Sequence, residues 1–199
     1  MVNNFNTIAD LILTKPWCEG EFYFLQILKR RKDNPGMEKD MILIDSFFIK
    51  GAEDLLKKEE RIVNICNINN ARAYFRLNKR SEKRVALETL ALVAKNIAAE
   101  NYDIKNCYLS CCGQYHSDPD KTWIVDLDGV SYVSPLMMAF IDYECEPIAK
   151  TVREGKCITT IPTKNGIHLI TKPFRLDKFR EKYPGIDVHK DNPTILYSP

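Results

Sequence analysis

The chain has 199 residues, 45% of them hydrophobic, with 29 Lys and Arg against 27 Asp and Glu for a formal net charge of +2. That composition supports one substantial domain, or a core with a smaller companion, and a net charge this small leaves room only for local basic patches rather than a generally basic coat. No apolar run approaches the roughly 18 residues of a membrane span, the N-terminus lacks the order of a secretory signal, and seven irregularly spaced cysteines do not form a disulfide framework, so a cytoplasmic chain with reduced thiols and no membrane partner is expected.

Residues 5–14 carry a short helical pattern that ends before Pro16, and Phe22 to Leu28, rich in aromatic and branched side chains, reads as a strand. Lys29-Arg30-Arg31-Lys32 follows as either a solvated strand end or a phosphate contact, and Asp33-Asn34-Pro35-Gly36 makes a turn. Met41 to Ile49 is a second strand, and Glu53 to Ile65 alternates charged and apolar residues at helical spacing. Residues 1–70 thus form an N-terminal α/β extension to which the sequence assigns no role.

Ala71 to Arg80 alternates small or apolar residues with arginine and ends in Asn78-Lys79-Arg80. On a strand Arg72 and Arg76 share a face, so with Arg80 they either line a nucleic-acid groove or decorate an edge strand. Ser81 caps a helix running to about Glu100, with Ala86, Leu90, Val93 and Ile97 as its expected buried stripe. Cys107, Cys111, Cys112 and His116 could hold zinc, but the set has no CxxC knuckle, and buried free thiols are the competing reading.

Trp123-Ile124-Val125-Asp126-Leu127-Asp128-Gly129 is an apolar strand that sends two carboxylates out on one face and stops at a glycine. Such a pair repels itself unless a cation lies between, and hard oxygen donors at this spacing suit Mg²⁺ or Mn²⁺. The alternative is two aspartates at a fraying strand end, bonded to a turn. Ser134-Pro135 starts a helix through Met137, Phe140 and Ile141, with a break expected at Pro147 and a resumption from Ile148 to Arg153. Cys157 to Pro162 and Ile167 to Ile170 read as strands of a hairpin turned by Asn165-Gly166, which puts His168 just past the turn. Leu176 to Tyr183 is a short helix, and Asp187 stands between apolar neighbours at the start of a closing strand pair.

An apolar-flanked Asp126-x-Asp128, then Gly166-Ile167-His168 on a hairpin strand, then Ile186-Asp187 on a late strand, in that order, resembles the three motifs of archaeo-eukaryotic-type primases and primase-polymerases. The likeness covers roughly residues 71–199, and the stretch from Gly185 to Pro199 is similar to that family's closing segment. It implies a small stand-alone member of a phage or mobile-element kind, acting as a metal-dependent, template-directed nucleotidyltransferase on single-stranded DNA or RNA with nucleoside triphosphates. It implies a two-metal Mg²⁺ or Mn²⁺ site on Asp126, Asp128 and Asp187, His168 and Gly166 at the incoming nucleotide, and Lys164, Lys172 and Arg80 as cationic helpers. The implied fold is α+β, an RRM-like and mostly antiparallel sheet with helices on one face over residues 71–199. Asn165 departs from the small residue usual before the glycine, and no appended helicase follows, so a helicase or replisome partner would act in trans. Two other readings use the same residues: a catalytically silent nucleic-acid-binding protein and a metal-dependent nuclease.

Overall fold

The computed structural model describes residues 1–15, 17–116, 118–145 and 155–199. After strand β1 (Val2–Asn3), the spacing of Phe5, Ile8, Ala9, Leu11 and Ile12 gives helix α1 (Phe5–Leu13) one apolar side, and all five are buried. The aromatic and branched run from residue 21 becomes β2 (Glu21–Arg30), which turns back through a 3₁₀ segment (Arg31–Asp33) into β3 (Met41–Ile49). Helices α2 (Ala52–Lys57) and α3 (Glu59–Asn69) lead to β4 (Arg72–Phe75) and the short β5 (Arg80–Ser81). Then follow α4 (Glu82–Ala98), α5 (Cys107–Gln114), β6 (Trp123–Asp128) and α6 (Pro135–Ala139), continued by a π-helical turn (Phe140–Glu144). The hairpin β7 (Cys157–Pro162) and β8 (Gly166–Thr171), helix α7 (Leu176–Lys182), β9 (Asp187–His189) and β10 (Thr194–Ser198) complete the chain order.

The described strands form two sheets, and every pairing among them is antiparallel. The first runs β1-β10-β4-β2-β3, with β5 against β2, and the second runs β7-β8-β6-β9. Tyr23, Leu25, Ile27, Ala73 and Phe75 leave one face of the first sheet, where α1, α2 and α3 cover them together with Ile124, Ile161 and Ile170 of the second sheet. Each fully buried Leu, Ile or Phe among them contributes about 1.5–3 kcal/mol. The opposite face sends Phe22 and Phe24 onto Val85, Cys111 and Cys112 of α4 and α5. Val125, Leu127 and Leu169 leave the second sheet on its far side and pack on Met137, Phe140, Ile141 and Phe179. Among the described residues, no helix is long and apolar enough to cross a membrane.

The class is α+β, as expected, but three particulars differ. Residues 1–70 are not a separate extension: β2 pairs with β4, β1 pairs with β10, and the Asn4 side-chain amide donates to Pro162 and Ile195 carbonyls, each at 2.9 Å. Helices do not lie on one face of one sheet, because the two sheets share a core with α1, α2 and α3 while α4 to α7 pack on the remaining faces. On α4, capped as expected by Ser81, the buried residue is Val85, while Leu90 and Ile97 are exposed. A helical stripe is buried only where a neighbour covers it, and α4 turns its Val85 side to the sheet. The expected break at Pro147 and the resumption over residues 148–153 lie outside the described residues.

Candidate active site

Strand β6 alternates Val125 and Leu127 into the core with Asp126 and Asp128 on the other face. In the antiparallel register Asp126 stands opposite His168 of β8 on one side and opposite Asp187 of β9 on the other, while Asp128 stands opposite Gly166. Residues facing each other directly across antiparallel strands have Cβ atoms roughly 4.5–5.5 Å apart, so three carboxylates and an imidazole occupy adjoining positions on one face. Gly166 permits this closeness: a Cβ on it would lie 2.1 Å from the Leu127 carbonyl oxygen. Past Asp128 the chain turns away at Gly129, whose φ of 73° is left-handed, and the Gly129 amide donates to the Asn165 carbonyl at 2.8 Å.

These carboxylates line a cleft of about 530 Å³, together with Ser131, Tyr132 and Ser134 of the loop after β6 and Ile186 before β9. Asp128 and Asp187 are exposed in it and Asp126 is half-buried. His168 Nε2 lies 3.4 Å from one Asp126 oxygen, and His189 Nε2 lies 3.9 Å from the other. On its far side His168 Nδ1 meets the buried Thr194 hydroxyl at 2.8 Å. Burial holds the His168 imidazole below its ordinary pKa, helped by His189 and opposed by Asp126 and Asp128. A neutral ring with its proton on Nε2 satisfies both contacts, with Thr194 donating to Nδ1 and Nε2–H directed at Asp126.

Among the described residues no three His, Cys, Asp or Glu side chains are gathered closely enough to hold an ion as they stand. The donor chemistry and backbone register nevertheless fit a hard divalent cation, since Asp126, Asp128 and Asp187 leave the same face from adjoining positions and line the same cleft.

The basic residues named from sequence are placed differently. Arg80 is fully buried: its Nε donates to the Cys112 carbonyl at 2.8 Å, and its other nitrogens hold both Asp191 oxygens at 3.2 and 2.6 Å as well as the Asn78 carbonyl. Arg76 donates to the Asp191 carbonyl at 2.5 Å, and burial with Arg80 close by pushes its guanidinium down to about 10, still charged at neutral pH. Arg72 is buried against Asp33 at 2.5 Å. None of the three lines a groove; a charge inside a fold needs a fixed partner, and Asp33 and Asp191 are those partners. Lys164 also reaches Asp33, at 3.1 Å, and Asp33 is kept below the usual carboxylate range because hydrogen bonds from Arg72 and Lys164 outweigh its burial. Lys172 lies beyond Thr171, which pairs with Trp123, so it sits at the far end of β8, four residues and about 13 Å along the strand from His168. Gly166 serves strand approach. Cys107, Cys111 and Cys112 are buried on helix α5, with Cys111 and Cys112 among apolar side chains.

Three contributors escaped the sequence reading. His189 shares the face of Asp187 two residues earlier, so the alternation that exposed Asp126 and Asp128 also announces it. Thr194 carries no such signal. Asp191, between β9 and β10, is anchored by Arg80, Arg76 and the Asn78 amide at 3.1 Å, which fixes the crossing from the second sheet to the first and with it both Asp187 and Thr194. Comparison with known protein families, with curated proteins and with solved structures returned no match.

Proposed function

We propose that the chain is a metal-dependent, template-directed nucleotidyltransferase of the primase-polymerase type, acting on single-stranded nucleic acid with nucleoside triphosphates. The observation that carries this reading is the register that sets Asp126 between His168 and Asp187, with all three carboxylates opening into one cleft. In the same reading the second sheet is the RRM-like half of the fold, the setting is cytoplasmic, and a helicase or replisome component is recruited in trans.

Asp126, Asp128 and Asp187 would hold Mg²⁺ or Mn²⁺, which when bound would favour ionisation of an attacking 3′-hydroxyl and neutralise the departing pyrophosphate. His168, locked by Thr194, presents Nε2 beside the carboxylates as a neutral hydrogen-bond donor to a phosphate oxygen. His189 lies on the other side of Asp126, within reach of the same ligand. Ser131, Tyr132 and Ser134 offer hydroxyls along the cleft wall for the remainder of the nucleotide. A binding protein that had lost turnover would gain nothing from concentrating negative charge where a phosphate backbone must pass.

The test is primer synthesis and extension on single-stranded templates with Mn²⁺ or Mg²⁺ and labelled nucleotides. Replacing Asp126 and Asp128 together by Asn should leave the fold intact and lower the rate by at least ~10³. A parent without metal-dependent synthesis, joined to a double variant that unfolds, would make the aspartates structural and defeat the reading. Template degradation in place of extension would move the same residues to a nuclease.

A further inference from the structure

Helix α4 carries an apolar face that nothing in the described fold covers. Leu87, Leu90 and Ile97 are 57%, 67% and 49% exposed, and Ala91 and Ala94 are exposed between them. Spacings of three, four and seven residues put these five on one stripe, on the side of the helix away from the buried Val85. Single exposed leucines need no explanation, but a continuous stripe on a helix about 25 Å long is a surface shaped for another helix.

The charges beside the stripe identify the occupant. Glu88 and Lys95, seven residues apart, lie along the same border of the stripe. A second copy of α4, turned end for end about a two-fold axis near residues 91 and 92, sets Glu88 opposite Lys95, and the symmetry makes the pair twice. The same axis sets Leu90 opposite Ala94 and Leu87 opposite Ile97, so a large side chain meets a small one near the centre and the helices can approach closely. A parallel, in-register pairing would instead oppose every charge with its own kind. Glu88 already has a loose contact with Arg84 on its own helix, at 3.9 Å, which does not compete for the outward position of Lys95.

We propose that α4 is a self-association face through which two copies of this chain pair antiparallel, helix against helix. A two-fold contact needs one self-complementary patch, and the apolar spacing and charge order of α4 are both self-complementary about nearly the same point. One helix face belongs to the small interface class, below about 1,200 Å² in total, so the dimer is weak and reversible, with a dissociation constant on the order of micromolar. The inference does not depend on the nucleotidyl-transfer reading.

Sedimentation equilibrium of the full chain tests it. A monomer–dimer equilibrium is expected, and Leu90→Glu, on an exposed position, should leave thermal unfolding unchanged while weakening association at least about tenfold. Lys95→Glu alone should weaken the dimer several-fold, and Glu88→Lys added to it should restore the parent affinity, because the swapped charges again face opposites. A chain that stays monomeric at concentrations of about 100 μM, roughly a hundred times the expected constant, would overturn the proposal. So would a dimer indifferent to Leu90→Glu, a charge swap that fails to restore pairing, or a face that binds a different protein while the chain remains monomeric.

Discussion

Removing the Asp191 carboxylate should reveal whether Arg80 and Arg76 are structural. In Asp191→Ala the Arg80 guanidinium keeps its bonds to the Cys112 and Asn78 carbonyls but loses both contacts to Asp191, while its side chain remains wholly enclosed. Breaking a buried ion pair from one side costs about 3–5 kcal/mol; Asp191 is partly open to solvent, so a discounted figure of about 2–4 kcal/mol applies. For a chain of this size that is a fall in Tm on the order of 10 °C. Arg80→Met should cost less than Asp191→Ala, since it removes the charge and fills most of the space. Combining it with Asp191→Asn should be less harmful than the sum of the two by about 1–3 kcal/mol. Urea unfolding followed by circular dichroism measures all of these, and single-stranded DNA binding at several salt concentrations runs beside it. An Asp191→Ala variant within about 0.5 kcal/mol of the parent, with Arg80→Met lowering the salt slope of DNA binding by about one, would refute the buried-lock argument and return Arg80 to a groove.

Gly166→Ala should destabilise the second sheet by about 3 kcal/mol or more, because its Cβ would run into the Leu127 carbonyl at 2.1 Å; an unchanged melting temperature would mean that the strands part at no cost. If the proposed nucleotidyl transfer is the activity, Thr194→Val should lower kcat/KM for primer extension by about 10–100-fold through loss of the His168 contact, with Thr194→Ser recovering most of it, whereas equal effects of the two would make the residue a matter of packing. Burial holds both His168 and His116 below the ordinary value of 6.5, so the unfolded chain binds more protons just below that pH. Stability should therefore be lost as pH falls from about 6.5 toward the folded values, by up to about 1.4 kcal/mol per pH unit for His168 and by less for the more open His116, and unfolding free energies that stay level from pH 7.5 to 5.5 would contradict this.

The strand bearing Asp126 and Asp128, the Asn165-Gly166 hairpin and the late strand of Asp187 are legible in sequence because each is a local pattern: alternation within six residues, or a turn dipeptide. Which strands then become neighbours is not local, and the site depends on it. The arginines show where pattern reading fails. Their four-residue spacing suits a shared strand face, but β4 ends at Phe75, and Arg76 and Arg80 follow the chain inward toward Asp191, a partner more than a hundred positions away. Lys172 is only four positions from His168, but a strand separates residues along its length as surely as it aligns those across it. For α4 the helical period is correct and the buried side is not, because periodicity gives the stripes of a helix and only its neighbours choose among them.

Strand β10 takes its place between β1 and β4, and this placement bears on how fast the molecule can assemble. The hairpin of β2 and β3 closes over a short connection, and β4 can join it soon after. The Asn3–Tyr197 pairing, by contrast, closes a loop of nearly the whole chain. Closing a longer loop adds only about 0.6 kcal/mol for each doubling, so the distance takes little from final stability and much from speed. Until β10 arrives, β4 has an open edge and its buried residues Ala73 and Phe75 lack one wall of their enclosure. The slow phase of refolding should therefore be the docking of the segment from Asp187 to Ser198, which is also the event that brings Asp187 beside Asp126 and Thr194 to His168, so native sheet and assembled cleft arise in one kinetic step.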